Sequence, residues 1–214
     1  YGDHRHLHCF PTRRSSDLTG FRMVHVGRLD PQKNHDLLLS VCAELKKRKR
    51  AFSLAIIGEG HARADIEKRI EELGLSGSVA LVGEQANPFS WMAAADALLL
   101  TSRFEAFALV LVEAMVCGTP VISVDCPAGP GEVLNGGEFG LLVPNDNPAA
   151  LADAVERLMD DPMLAQGLSE QGYERAKVFD VKTIVPQWES LLDTMVRESA
   201  SVKHQKGIEA CNAK

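Results

Sequence analysis

The chain has 214 residues, of which 45% are hydrophobic and 24% are charged, and its formal net charge is −6. This length is enough for one domain with a substantial core, with or without an accessory tail, and the composition is ordinary for a soluble globular protein. The negative charge argues against generic nucleic-acid binding, which depends on neutralising phosphates with Lys and Arg. No apolar run is long enough to span a bilayer.

Residues 1–18 differ in kind from the rest of the chain. They show neither strand alternation nor a helical stripe, and they resemble the in-frame translation of a common short-read sequencing adapter, differing at His6 and Cys9. We interpret them as a non-native leader, with a basic disordered arm as the alternative, and exclude them from fold prediction. On this interpretation the closely spaced histidines of the segment are not a metal site.

The remaining cysteines form no Cys-x-x-Cys pair and have no His partner at metal-ligand spacing: Cys42, Cys117, Cys126 and Cys211. This usage indicates reduced thiols and a cytoplasmic location. For Cys117 and Cys126 a nucleophilic role is an alternative, but the role of a small buried hydrophobe is favoured.

Six apolar segments alternate with helical patterns after the leader. The predicted strands are Phe21–Val26, Phe52–Ile57, Ser78–Val82, Asp96–Thr101, Thr119–Val124 and Gly140–Val143. Asn34 is predicted to cap the first helix, and Gly74 to end the second. Helical patterns then continue from residue 148 to residue 196, with a break near residues 179–181.

Strands that are apolar throughout and alternate with helices indicate a parallel sheet covered on both faces. Right-handed crossovers make this a doubly wound, Rossmann-like α/β domain. We assign the domain to residues 19–180, followed by a helix over 181–197 and a disordered tail over 198–214.

Two carboxylates, Glu105 and Glu113, stand eight residues apart in an otherwise apolar segment. Glu105 falls in the loop after the fourth predicted strand, where parallel sheets bind ligands, and Glu113 falls in the following helix. A carboxylate can accept hydrogen bonds from both hydroxyls of a ribose, which suits Glu113, while Glu105 is free to reach a sugar. Alternatively, Glu113 pairs with a cation on its helix face and Glu105 supports a helix cap.

Arg28 and Lys33 lie in the loop after the first predicted strand, just before a helix. Free amides, the helix dipole and two cations together form an anion site. The alternative is that both are solvated surface cations. The backbone amides that lead into the central helix, from Ala106 to Leu109, are further candidate donors, and the loop Gly83–Pro88 is placed to contact a flat base.

These motifs together resemble the C-terminal, donor-binding domain of a GT-B fold glycosyltransferase of family 4, the glycosyl transferases group 1. The resemblance extends from about Arg22 to about Pro144. It is carried by Val26–Leu29 with Lys33, Gly83–Pro88, Ser102–Glu105, the Glu-x7-Glu pair, Glu113–Pro120 and Asp125–Pro130. It implies a retaining transfer of a sugar from a nucleotide-diphosphate sugar, with no metal and no other cofactor.

The resemblance also implies roles for single residues. Arg28 and Lys33 hold the diphosphate, Glu105 contacts the donor sugar and Glu113 the ribose, so Arg28, Lys33 and Glu105 form the catalytic set. The implied donor-binding residues are Gly27, Arg28, Lys33, Gly58, Gln85, Ala86, Glu105, Phe107, Ala108, Leu109 and Glu113. Two positions depart from the family pattern: Ala106 stands where a glycine is usual, and Gly131 where an arginine is often found.

A GT-B enzyme has a second domain, which binds the acceptor, here a glycan or a lipid-linked sugar. We interpret this sequence as a fragment that lacks that domain and is inactive by itself. The segment Lys182–Val196 resembles the helix that returns to the acceptor domain.

Three other functions are weighed. A glycoside hydrolase also uses paired carboxylates but needs no anion site, and Arg28 and Lys33 argue against it. A nucleotide-binding module without catalysis would keep the fold and lose the cleft. A sugar-nucleotide epimerase needs a second domain and a general base. The basic run Lys46–Arg50 either neutralises a helix C-terminus or contacts the inner face of the plasma membrane.

Overall fold

The computed structural model describes the backbone of residues 20–212 and the side chains of residues 20–197. The leader assigned to residues 1–18 therefore lies outside the described residues. The chain divides between Arg175 and Ala176 into two compact units, whereas the sequence places this boundary at residue 180.

The first unit is built on a six-stranded sheet. Its strands are β1 (Phe21–Val26), β2 (Phe52–Ile57), β3 (Val79–Gly83), β4 (Ala97–Leu100), β5 (Val121–Asp125) and β6 (Leu141–Pro144). They lie in the order β3-β2-β1-β4-β5-β6, and every pairing is parallel. This arrangement confirms the predicted doubly wound α/β fold, and each predicted strand is found within two residues of its expected position.

Helices connect the strands of this unit, follow its last strand and cover the sheet. They are α1 (His35–Lys47), α2 (Arg63–Glu72), α3 (Phe89–Ala94), α4 (Leu109–Val116), α5 (Pro130–Val133), α6 (Pro148–Asp160) and α7 (Pro162–Ala176), and a further helix, α8 (Val181–Asn212), belongs to the second unit. All six residues of β2 are buried, as expected for a strand covered on both faces. Gly74 ends α2 as predicted: its φ is +64° and its N–H donates to the Glu71 carbonyl oxygen.

The second unit contains α8. A 3-10 turn over Lys177–Phe179 precedes this helix, so the break predicted near residue 180 is present. The helix continues to Asn212, so the prediction of a disordered tail from residue 198 differs from the structure. The segment loses its apolar periodicity but keeps residues of high intrinsic helix propensity, such as Ala, Glu, Gln and Lys.

The basic run Lys46–Arg50 contacts the acidic face of α6. Arg48 Nη1 lies 2.6 Å from both Asp153 Oδ1 and Glu156 Oε2, and Arg50 Nε lies 3.6 Å from Glu156 Oε1. The two arginines therefore join the end of α1 to α6. Because the charges of Arg48 and Arg50 are already paired, these two arginines are not available for the alternative of a membrane-surface patch.

Glycine is required where β1 and β2 approach each other at their carboxyl ends. Gly58 has a φ of +138°, and a Cβ at this position would lie 2.0 Å from the Gly27 carbonyl oxygen. The Gly27 N–H donates to the Ile57 carbonyl oxygen at 3.0 Å, so the two strands are still hydrogen-bonded where their loops begin. The backbone can approach this closely only because Gly58 carries no side chain.

We expect Gly58→Ala to lower the free energy of unfolding by about 1–3 kcal/mol, because it combines an unfavourable φ with a clash against backbone. Gly77→Ala is the matched control, since a Cβ at Gly77 has no atom within 4 Å. That variant should be neutral or slightly stabilising. Urea unfolding of both variants measures the difference, and equal destabilisation would contradict the close-approach explanation.

Candidate functional site

The sheet reverses its order between β1 and β4, which are neighbours in space but not in the chain. In open α/β sheets, ligands bind in the crevice that such a switch point opens at the carboxyl ends of the strands. The loop after β1 carries Lys33, and the loop after β4 carries Glu105. The structure thus brings together two predicted site residues that are 72 positions apart in the chain.

Lys33 and Glu105 form an ion pair of low exposure. The distance from Lys33 Nζ to Glu105 Oε1 is 2.6 Å, and the two side chains are 14% and 10% exposed. The hydroxyl of Ser102 donates to the same carboxylate oxygen at 2.6 Å. The role of Glu105 in contacting a sugar stays a prediction, and Oε1 is already engaged by Lys33 and Ser102. Within residues 20–197, Oε2 receives no hydrogen bond.

The backbone around Lys33 is held by the residues before it. Asp30 Oδ1 accepts the N–H groups of Gln32 and Lys33, at 3.0 and 3.3 Å. Gly27 leaves room for the lysine stem, because a Cβ there would lie 3.0 Å from Lys33 Cε. The turn and the glycine together let the lysine side chain cross the end of β1 toward Glu105.

Asn34 lies at the N-cap position of α1, but its side chain makes no capping hydrogen bond, so the prediction of a side-chain cap is wrong. Its backbone is left-handed, with φ and ψ both 53°. Its amide oxygen accepts from Arg103 Nη2 at 3.1 Å, and its amide nitrogen donates to Asp146 Oδ1 at 3.4 Å. Tertiary partners have therefore taken the groups that would cap the helix.

Arg28 does not join Lys33 in one cluster. Its side chain is 76% exposed, and Nη2 lies 3.2 Å from Asp30 Oδ2. It lines a pocket of about 380 Å³ at the carboxyl ends of β1, β2 and β3, together with Val26, Gly27, Ile57, Gly58, Glu59, Glu84, Gln85 and Pro88. Four predicted site residues therefore share this pocket, whereas Ala86 is exposed and does not line it.

Glu113 lies half-buried on α4, whose buried residues include Val112 and Ala114. Burial raises the pKa of its carboxyl group. In the part of the chain whose side chains are described, no cation and no hydrogen-bond donor contacts this carboxylate, so no Lys or Arg of that part is the alternative partner. A half-buried carboxylate without a partner can accept hydrogen bonds from a ligand at little cost, because much of its hydration is already lost.

The turn into α4 contains a left-handed residue that the sequence did not indicate. Ala108 has φ 61° and ψ 50°, is 4% exposed and directly precedes Leu109, the first residue of the helix. Ala106, the position that departs from the family pattern, does not have a positive φ. The steric cost of a left-handed conformation in a residue that carries a side chain therefore falls at Ala108.

We expect Ala108→Gly to raise the free energy of unfolding by about 0.5–1 kcal/mol, because glycine adopts positive φ without the steric cost that alanine has. Ala106→Gly, two residues earlier in the chain, is the matched control. It should be neutral or destabilising, since glycine there only adds entropy to the unfolded chain. Chemical denaturation of both variants measures the two effects. Stabilisation by Ala106→Gly would contradict the explanation that the steric cost lies at Ala108.

A buried histidine pair lies beside Lys33 and was missed at the sequence level. The rings of His25 on β1 and His35 on α1 meet edge to face, with centroids 5.1 Å apart. His25 Nδ1 lies 3.0 Å from the Leu99 carbonyl oxygen and so carries the proton, while its buried Nε2 has no hydrogen-bond partner among the described residues. Burial lowers the pKa of His25 to about 3, and the neighbouring His35 adds to this shift. Burial also lowers the pKa of His35.

Because its folded-state pKa lies below the unfolded value of 6.5, His25 should make stability fall as the pH drops from 6.5 toward 3. The expected slope is about 1.4 kcal/mol per pH unit for this one group. Urea titrations between pH 7.5 and 5 should show a shallower decline for His25→Gln. The stability of a control variant at an exposed histidine, His61→Gln, should decline with falling pH like that of the parent. If His25→Gln also declines like the parent, the explanation is wrong.

Across residues 20–197 no cluster of three or more His, Cys, Asp or Glu side chains is arranged to hold a metal ion. No described helix is long and apolar enough to cross a membrane. The expectation that the site works without a metal stays a prediction.

Solved structures with bound nucleotide share this architecture. A Staphylococcus aureus TarM mutant in complex with fondaparinux, α-GlcNAc-glycerol and UDP matches with a TM-score of 0.76 and 28% identity, over 80% of this chain and 35% of that chain. Anabaena HepE in complex with UDP matches with a TM-score of 0.76 and 27% identity, over 82% and 49%. The fold is that of a GT-B glycosyltransferase domain.

The sequence profile of one family, described as glycosyl transferases group 1, matches residues 12–175. The chain belongs to this family. The match begins inside residues 1–18, and the adapter origin of that segment stays a prediction.

Two curated relatives show how much of a whole enzyme the chain represents. A Campylobacter jejuni N-acetylgalactosamine-N,N'-diacetylbacillosaminyl-diphospho-undecaprenol 4-α-N-acetylgalactosaminyltransferase is 35% identical over 158 residues, which are 74% of this chain and 42% of the relative. The exopolysaccharide phosphotransferase SCO2592 of Streptomyces coelicolor is 36% identical over 185 residues, which are 86% of this chain and 20% of the relative. The chain thus spans less than half the length of each.

Proposed function

We propose that this chain binds the nucleotide-sugar donor of a retaining glycosyltransferase of family 4, and that the nucleotide is UDP. The observation that supports the proposal is the Lys33–Glu105 ion pair at the switch point, in which a cation suited to a diphosphate lies beside a carboxylate suited to sugar hydroxyls. The UDP complexes of TarM and HepE support the choice of nucleotide.

Lys33 and Arg28 bind the diphosphate in this proposal. The Lys33 ammonium has three donors and gives one to Glu105, so two remain for phosphate oxygens. The Arg28 side chain is largely exposed, and its contact with Asp30 is a surface ion pair that costs little to break. Arg28 can therefore swing to the diphosphate, where its planar guanidinium offers two parallel hydrogen bonds.

Glu105 and Glu113 bind the two sugars of the donor. The unoccupied Oε2 of Glu105 accepts a hydroxyl of the transferred sugar, while Lys33 and Ser102 hold Oε1. The Glu113 carboxylate accepts the ribose hydroxyls, which replace the hydration that burial removes. The pocket between Gly27, Gly58 and Gln85 takes the base.

In the transfer step, the bond between the anomeric carbon and the diphosphate oxygen breaks, and a bond to the acceptor oxygen forms. The acceptor hydroxyl proton passes to the departing diphosphate. Lys33 and Arg28 stabilise the negative charge that develops on this leaving group, which is the electrostatic role that metals have in other transferases.

The acceptor is a glycan or a lipid-linked sugar. The Campylobacter relative is named for an undecaprenol-linked acceptor, and another relative, of Staphylococcus aureus, for poly(ribitol-phosphate). We propose that the acceptor is bound by residues of the whole enzyme outside this chain. By itself the chain is then a nucleotide-binding module, and with UDP-sugars and acceptors it should show no turnover.

Calorimetry with UDP tests the division of roles between the glutamates. Glu113→Gln should weaken UDP binding about tenfold, because a charge-assisted acceptor becomes a neutral amide. Glu105→Gln should leave UDP binding unchanged or tighter, because it releases Lys33 from its partner. In the whole enzyme it should instead reduce transfer.

Glu67→Gln on the exposed face of α2 is the control, and it should bind UDP like the parent chain. Lys33→Ala should abolish most of the affinity. Equal losses for Glu105→Gln and Glu113→Gln would overturn the assigned roles.

A further inference from the structure

Two loops at the switch point are joined by hydrogen bonds. The β1 loop is residues 30–34, and the β4 loop is residues 101–105. Besides the ion pair, Thr101 Oγ1 donates to the Lys33 carbonyl oxygen at 2.9 Å, and Gln32 Nε2 donates to the Phe104 carbonyl oxygen at 2.9 Å. The remaining cross-loop hydrogen bonds described all come from Arg103.

Arg103 contacts the β1 loop at three residues on both sides of Lys33. Its N–H donates to the Gln32 carbonyl oxygen at 2.8 Å, and its Nε to the Pro31 carbonyl oxygen at 3.2 Å. Its Nη2 donates to Asn34 Oδ1 at 3.1 Å. The guanidinium therefore holds the Pro31 carbonyl group before the lysine and the Asn34 side chain after it, and these contacts restrain the segment from which the lysine side chain extends.

Asn34 passes this contact on to a third loop. It is 4% exposed, and its amide nitrogen Nδ2 donates to Asp146 Oδ1 in the loop after β6. Its left-handed backbone is tolerable for asparagine, and it directs the amide toward Arg103 rather than toward the N-terminus of α1. Arg103 thus connects to a buried side chain although it is itself exposed.

We propose that Arg103 is a positioning residue that holds Lys33 against Glu105. It acts through the β1 loop, so its effect on UDP affinity rests on the function proposed above. The planar guanidinium offers Nε and Nη2 donors in a fixed relation, whereas a lysine ammonium at this position could serve only one of the two acceptors.

The test uses the full chain and two measurements. The first is the NMR signal of the Lys33 side chain, assigned by its loss in Lys33→Arg, and the second is UDP affinity by calorimetry. Arg103→Ala should move the Lys33 signal toward that of a solvated lysine and weaken UDP binding about three- to tenfold. Arg103→Lys should behave like Arg103→Ala. Arg69→Ala, which removes an arginine paired with Glu72 on α2, should change neither.

Asn34→Gly removes the acceptor of Arg103 while keeping a residue that tolerates the left-handed backbone. If the contact between the two side chains matters, the effects of Arg103→Ala and Asn34→Gly on UDP affinity should be non-additive, since they remove the same hydrogen bond. Additive effects would overturn the proposal.

The outcomes separate this inference from the proposed function. An Arg103→Ala variant that loses UDP affinity with an unchanged Lys33 signal would show direct contact between Arg103 and phosphate, and it would overturn the positioning role. If Lys33→Ala binds UDP like the parent, the proposed function fails, and the Lys33 signal in Arg103→Ala still decides the inference.

Discussion

The parallel pairing of β1 with β4 is the constraint on which the site depends. It spans only two registered pairs, Met23 with Ala97 and Val24 with Leu98, whereas β1 and β2 share six. Beyond these pairs, the loops after the two strands are joined by one backbone hydrogen bond, from the Arg103 N–H to the Gln32 carbonyl oxygen, and otherwise by side chains. The Lys33–Glu105 ion pair is therefore both a product of the sheet order and part of what keeps the crevice in shape.

Two sets of charged residues in this domain have different surroundings. Arg48 and its partners on α6 join two helices and leave no charge for a ligand. At the switch point, Lys33 and Glu105 are shielded from water but keep unused donors and an unused acceptor oxygen. A ligand that carries both phosphate and hydroxyl groups can satisfy both without separating the pair, which keeps the desolvation cost of binding low.

Unusual backbone conformations accumulate at the edge of the sheet where this crevice opens. Gly58, directly after β2, and Gly83, the last residue of β3, have positive φ. Asn34 and Ala108 adopt left-handed conformations just before α1 and α4. Such conformations persist only where the surrounding structure supports them, and they are common at ligand sites. At Asn34 the support is visible as hydrogen bonds to Arg103 and Asp146.

The sequence alone determined the strands, the end of α2 at Gly74 and the positions of Lys33 and Glu105 in loops after strands. Apolar runs, glycine stops and loop positions are local properties, so short stretches of sequence carry them. Only the tertiary structure decided that Lys33 pairs with Glu105, that Arg48 pairs with carboxylates of α6, and that the Asn34 amide turns away from its helix. Each of these outcomes depends on which distant group arrives within hydrogen-bonding distance, and that follows from the order of the strands, which no local pattern encodes.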